Sequence, residues 1–126
     1  MRDMTDSVFF ADTYALIELA GGNVNYQPYL NQLIVTSKFN LIELYYYFLR
    51  TYGKETADRF LKLYSKIIIP ITFSSMRSGM EFKLRHKDEK ISYVDAIGYA
   101  LAFESGIEFL TGDQKFRSKS NVRFVK

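Results

Sequence analysis

The chain has no cysteine, no tryptophan, one histidine and two prolines in 126 residues. Without cysteine there is no disulfide, no thiolate zinc site and no cysteine nucleophile. A lone histidine, His86, excludes paired-imidazole acid–base chemistry and histidine-rich metal sites. A bound metal must then be held mainly by oxygen, which favours Mg2+ or Mn2+. The opening residues MRDMTDS carry two acids and no apolar stretch, so no signal peptide is expected. No apolar run approaches the length of a membrane span, and Glu43 interrupts the best candidate. The expected location is the cytoplasm.

What is present fits one globular domain over residues 1–126. Hydrophobic residues make up 48% of the chain and aromatics 17%, enough for a proper core. The net charge is +3, unevenly spread: residues 1–63 carry −1 and residues 64–126 carry +4. That is a mild lean toward an anionic partner.

The pattern alternates strands and helices. VFFA at 8–11 is a short apolar run, as in a strand covered on both faces, and the helix TYALIELA follows until Gly21-Gly22. Pro28 could open a further short helix. Leu33–Val35 is a candidate strand, Thr36-Ser37 can cap a helix over about 38–52, and a second helix spans roughly 54–66. Lys66–Ile71 reads as a third strand, at an edge or ending at Pro70. A helix over 73–87 places Met76, Met80 and Leu84 at helical spacing. The helix from Ser92, a strand Ile107–Thr111 and a last strand Val122–Val125 complete an α/β pattern with a central parallel sheet.

Four acids stand out, each with an ordinary explanation. Asp12 follows the first strand directly, where it either caps the next helix or lines a site. Glu43 is the one acid in LIELYYYFL, a stretch apolar enough to be mostly buried. It marks the solvent stripe, or pairs with Arg50 at i+7, or is functional. Asp95 fits a capping box with Ser92, yet Gly98 and Ala102 share its face and let that face approach the sheet. Asp113, after Thr111-Gly112, fits a turn. Together they put two acids at strand ends, one in a helix's first turn and one in an apolar helix. Gathered in one crevice, four like charges would raise one another's pKa, and a divalent cation would relieve the conflict. That arrangement suits metal-assisted hydrolysis of a phosphodiester. Glu104 lies about half a turn off the face of Asp95 and should be solvated.

The stretches VFFADTYALIELA, NLIELYYYFLR, KISYVDAIGYALA and IEFLTGDQKF resemble the PIN domain, and within it the VapC-like toxin ribonucleases. The likeness covers nearly the whole chain. It implies a three-layer α/β fold with a mainly parallel five-stranded sheet flanked by helices. It implies that Asp12, Glu43, Asp95 and Asp113 form the catalytic metal site for Mg2+ or Mn2+, with support from Thr13 and Thr111. The implied activity is that of an endoribonuclease, the toxin of a toxin–antitoxin pair, forming a homodimer and blocked by a cognate antitoxin. Many relatives carry a further acid where this chain has Lys115, which bears on a second metal position and could set a cation near the phosphate. The alternatives are a non-catalytic PIN-like module that binds RNA or protein, and a housekeeping RNA-processing nuclease.

Two basic clusters could touch RNA: Lys83, Arg85, Lys87 and Lys90, and the cluster of Lys115, Arg117, Lys119 and Arg123 that follows Asp113. The second is the better placed. The tyrosines at 45–47 suit core or dimer packing better than base stacking. His86, within the first cluster, is read as a surface histidine without a catalytic role.

Overall fold

Four short strands form one parallel sheet: β1 (Val8–Ala11), β2 (Leu33–Val35), β3 (Glu108–Thr111) and β4 (Val122–Phe124), in the order β2-β1-β3-β4. This is a computed structural model, and it describes residues 7–126. The reading of MRDMTDS as free of a leader concerns residues that lie, Ser7 apart, outside those described. Among the described residues, no helix is long and apolar enough to cross a membrane.

The strands are apolar because both sheet faces are covered, and their alternation divides the core in two. Phe9, Ala11 and Leu110 point to one side, against Leu16, Leu41, Leu44, Phe48 and Ala57. Those residues come from α1 (Thr13–Gly21), α2 (Lys38–Tyr52) and α3 (Lys54–Tyr64). Phe10 and Phe109 point to the other side, against Phe82, Tyr99, Leu101 and Phe116. That layer is built from α4 (Phe73–Arg85) and α5 (Tyr93–Glu104), with Phe116 added from the 3₁₀ turn Gln114–Phe116. The register pairs Phe10 with Phe109 and Ala11 with Leu110, so each side receives matched residues from the two central strands.

The fifth expected strand is the departure within the sheet. Lys66–Ile71 is not a strand: residues 65–67 form a 3₁₀ turn, and a single parallel bridge joins Ile68 to Thr36 beyond the end of β2. Two bonds make it, Thr36 N–H to the Ile67 carbonyl and Ile69 N–H to the Thr36 carbonyl. Beyond Thr36 the chain turns at the Ser37 cap into α2, so Ile71 N–H finds no strand to bond among the described residues and the ladder stops where it starts. The α/β class with a parallel sheet between helices is as expected, with the edge strand reduced to this bridge.

Helix α2 is also more exposed than its composition suggests. Leu41, Leu44 and Phe48 are buried, but Ile42 is 60% and Tyr46 65% exposed, with Phe39 and Leu49 on the same outward stripe. Pro28 lies inside a 3₁₀ turn, Val24–Tyr29, rather than opening a helix. Helix α4 ends at Arg85, two residues early, and α3 at Tyr64.

Small residues set how closely the α4–α5 layer packs. A Cβ on Gly98 would stand 3.0 Å from the Phe10 ring and 3.4 Å from the Phe109 ring. A Cβ on Gly79 would stand 3.0 Å from both the Ala96 carbonyl oxygen and the Ile97 Cα. The contacts at Gly79 are backbone, which cannot rotate away. Gly79→Val is therefore expected to cost about 2–3 kcal/mol through overpacking, measured as a lower urea midpoint with unchanged slope.

Candidate metal centre

Sheet order places the two central strands at a point of divergence. From β1 the chain crosses to β2 on one side, while β3 lies on the other, so a crevice opens beyond the carboxyl ends of β1 and β3. Asp12 follows β1 and Asp113 follows β3 by two residues. Helix α2 brings Glu43, and the first turn of α5 brings Asp95. All four line one cavity of about 410 Å³, together with Thr13, Tyr14, Gly112, Gln114 and Lys126.

Asp12 is the innermost, 2% exposed. Its Oδ1 accepts from Ala15 N–H at 2.8 Å, capping α1, and its Oδ2 accepts from the buried Thr111 hydroxyl. Asp12 therefore caps α1 and also lines the cavity. Burial raises its pKa to about 8; the bonds from Thr111 and Ala15 oppose the shift, and the charges of Asp95 and Asp113 add to it. Thr111 also accepts from Asp113 N–H at 3.0 Å, so one hydroxyl ties the two strand-end acids together.

Glu43 is half-buried and has a partner that no local pattern announces. Thr13 Oγ1 donates to Glu43 Oε1 at 2.6 Å. Thr13 in turn accepts from Asn40 Nδ2 at 3.2 Å, and Asn40 Oδ1 accepts from the Ser37 hydroxyl at 2.6 Å. The chain Ser37–Asn40–Thr13–Glu43 thus runs from the cap of α2 to the cavity. Asn40 is fully buried and sits three residues before Glu43, on its face of the helix. That spacing was the available signal for a residue the sequence reading did not select. Arg50 makes no ion pair with Glu43; it lies over the rings of Tyr46 and Tyr47.

Asp95 forms only half of the expected capping box. Ser92 Oγ accepts from Asp95 N–H at 3.1 Å, with no reciprocal bond from Ser92 N–H to the Asp95 carboxylate among the described residues. The carboxylate is left facing the cavity. Burial raises its pKa to about 6, with Glu43 and Asp113 adding to the shift and Ser92 and Lys115 opposing it. The full capping box lies instead at the start of α4, between Thr72 and Ser75.

Oxygen donors from four chain segments therefore meet in one cavity, and the two more deeply placed acids hold their protons too readily for simple surface carboxylates. That excess of negative charge suits a hard divalent cation. Among the described residues no three of these side chains already enclose an ion-sized site.

Of the basic candidates, Lys115 comes nearest: its ammonium bonds the Lys90 carbonyl at 3.0 Å and its charge acts on Asp95. Lys119 is tied to Glu89 and Arg123 to Glu108, while Arg117 lies over the Phe124 ring. Lys83 reaches the Ile91 carbonyl and the Tyr93 ring. His86 bonds Glu89 and stays away from the acids. Glu104 is exposed, as expected, and accepts from the Thr72 hydroxyl. The sequence offered no signal for Lys126 or Tyr14 in the cavity wall.

The fold and site define an α/β domain with a parallel sheet and an oxygen-donor crevice at the carboxyl ends of its central strands. The family model for the PIN domain matches residues 9–122, and the chain belongs to that family. Its fold is shared with solved structures at low sequence identity. VapC20 of Mycobacterium tuberculosis, described as a sarcin–ricin loop cleaving toxin, superposes with a TM-score of 0.77 at 19% identity, covering 94% of this chain and 99% of that one. VapBC2 of Rickettsia felis, bound to a promoter DNA fragment, gives 0.73 at 19% identity, covering 94% and 99%. A toxin–antitoxin complex from Klebsiella pneumoniae gives 0.70 at 20% identity, covering 94% and 96%. No curated protein matches the chain.

Proposed function

We propose that residues 1–126 form one nuclease domain, a Mg2+- or Mn2+-dependent endoribonuclease acting as the toxin of a toxin–antitoxin pair in the cytoplasm. The observation that carries this reading is the convergence of Asp12, Glu43, Asp95 and Asp113 on one cavity at the switch point of a PIN sheet. Those four carboxylates would hold the ion. When bound, it supplies charge neutralisation at phosphorus and lowers the pKa of a water for attack.

The chain's own residues set the stage. Thr111 and Ala15 N–H each hold one oxygen of Asp12, leaving its remaining lone pairs for an ion, and Thr13 holds Glu43 Oε1, leaving Oε2 open to the cavity. Lys115 stands beside Asp95, where a cation can meet a phosphate of the RNA. Arg117 and Lys119 extend the same basic segment for further phosphates. A cognate antitoxin is supported by the neighbours solved as toxin–antitoxin complexes. A homodimer is supported by the outward stripe of Phe39, Ile42, Tyr46 and Leu49 on α2, an apolar face that a second copy would cover.

The test is cleavage of RNA with Mg2+ or Mn2+, repeated with chelator and with Asp95→Asn. Cleavage should stop in chelator and fall by about 10²-fold or more in the variant. Cleavage that survives both sinks the metal–carboxylate mechanism. Metal binding without cleavage of any RNA points to the non-catalytic module instead.

A further inference from the structure

Outside the acid cavity, a second recess of about 500 Å³ lies along the contact between α4 and α5. The two helices run antiparallel: Thr72 meets Glu104, Gly79 meets Ala96 and Ile97, and Lys83 meets Ile91 and Tyr93. Arg85 and His86, at the end of α4, therefore sit toward the end of α5 that carries Asp95. Phe103 and Glu104 sit at the far end.

The chemistry of this recess is mixed in a particular way. Its floor and wall are aromatic, from Phe82, Tyr99 and Phe103. Phe82 and Tyr99 are nearly buried and hold each other at 4.7 Å, whereas Phe103 is 59% exposed, leaving its ring open to a partner. At the end nearer Asp95 the rim is cationic. Arg85 is exposed and has no ion pair among the described residues. Lys119 shares the carboxylate of Glu89 with His86. One acid, Glu104, lies at the other end, where it can accept from an exocyclic amino group.

We infer that this α4–α5 recess is a nucleotide site that seats one base against Phe103 and Tyr99 with its phosphate on Arg85. The volume lies in the range of about 300–1,000 Å³ typical of small-ligand pockets. Aromatic faces take any base by stacking, and cations at one end take the backbone. A purely apolar ligand would leave the cationic rim unused; a free anion would leave the rings unused. Helix α5 joins the two sites: Tyr99 and Phe103 lie four and eight residues beyond Asp95, about 6 and 12 Å along its axis. That span suits a single strand reaching from the acids to the recess within a few nucleotides. Reading the nucleotide as part of an RNA chain rests on the proposed nuclease function; the site itself does not.

The experiment titrates the full chain in chelator with adenosine 5′-monophosphate and follows amide and aromatic NMR signals. Shifts are expected at Arg85, Tyr99, Phe103 and Ser120, with adenosine binding more weakly than its monophosphate. Phe103→Ala and Arg85→Glu should each weaken binding tenfold or more without lowering Tm, since both side chains are exposed. Absence of shifts at these residues up to millimolar nucleotide overturns the inference, and so does wild-type affinity in both variants. A recess that ignores the nucleotide but responds to an added protein partner overturns it too. Nucleotide binding here without metal-dependent RNA cleavage supports the site and defeats the nuclease reading alone; cleavage without nucleotide binding does the reverse.

Discussion

Asp12→Asn is expected to make the metal-free protein more stable at pH 8 while reducing RNA cleavage by about 10³-fold. The two effects have one origin. Burial raises the Asp12 pKa from 3.8 to about 8. The folded state therefore binds this proton more tightly than the unfolded chain, and ionising the group works against folding. Its contribution is most favourable below about pH 4. It declines as pH rises through the interval up to about 8 and is lost above that. In chelator, the Tm of the wild type should fall across this window.

Asparagine keeps an oxygen for Ala15 N–H, so the cap of α1 survives, and it has no charge to bury, while its Nδ2 replaces the oxygen that accepts from the Thr111 hydroxyl and offsets part of the gain. The variant should gain about 2 kcal/mol or more at pH 8, roughly 5–10 °C for a domain of this size. A smaller slope should remain below about pH 6, where Asp95 titrates by the same logic. Added Mg2+ or Mn2+ should raise the Tm of the wild type at pH 8 and leave the variant nearly unmoved. Scanning calorimetry from pH 5 to 8.5, with chelator and with metal, reads all of this. A variant that melts lower in chelator, or responds to metal as the wild type does, removes Asp12 from the proposed centre.

The second large effect is expected at Gly112. Its backbone φ is not in the left-handed region, so conformation does not demand glycine here. Space does: a Cβ would lie 2.1 Å from a Tyr14 ring carbon and 2.6 Å from the Val125 carbonyl oxygen. The ring could swing aside, but the carbonyl belongs to the chain leaving β4, which Val125 N–H anchors to the Thr111 carbonyl at 2.9 Å. Gly112→Ala should cost about 2–3 kcal/mol. It should also lower metal affinity beyond what the lost stability explains, because Tyr14 and Asp113 both line the cavity. Combining it with Tyr14→Ala removes the ring and leaves the carbonyl clash, so partial recovery of Tm in the double variant is the diagnostic outcome. Full additivity would mean the ring is not the obstacle.

How far the site could be read in advance depended on where each partner lies. Asp12 and Asp113 were legible because both follow short apolar runs, and strand ends in a parallel sheet face one crevice. Asp95 was legible as a first-turn acid, with Gly98 and Ala102 on its face explaining the close approach of α5. Glu43 was legible only as an anomaly. Its explanation, Thr13, is 30 residues away, and no periodicity reports a bond across two helices. Gly112 looked like a turn residue, since sequence shows glycine without showing what crowds it. The missing edge strand has the same character: Lys66–Ile71 has strand composition, but a strand needs a partner with free groups, and β2 ends after three residues. The exposed stripe of α2 was hidden because an apolar stripe that faces outward and one that is buried in the core read alike in composition.

The register of β1 on β3 also governs when activity can appear. Asp12 is held by Thr111, 99 residues later, and although β1 can pair with β2 early, the side of β1 that faces the site stays unpaired until β3 arrives. Contacts of such separation form late, since a long loop must close before they repay it. A nascent chain that has made Asp12, Glu43 and Asp95 still lacks the strand that aligns them. The proposed nuclease would thus stay harmless through most of its own synthesis and become active only once the final strands have docked.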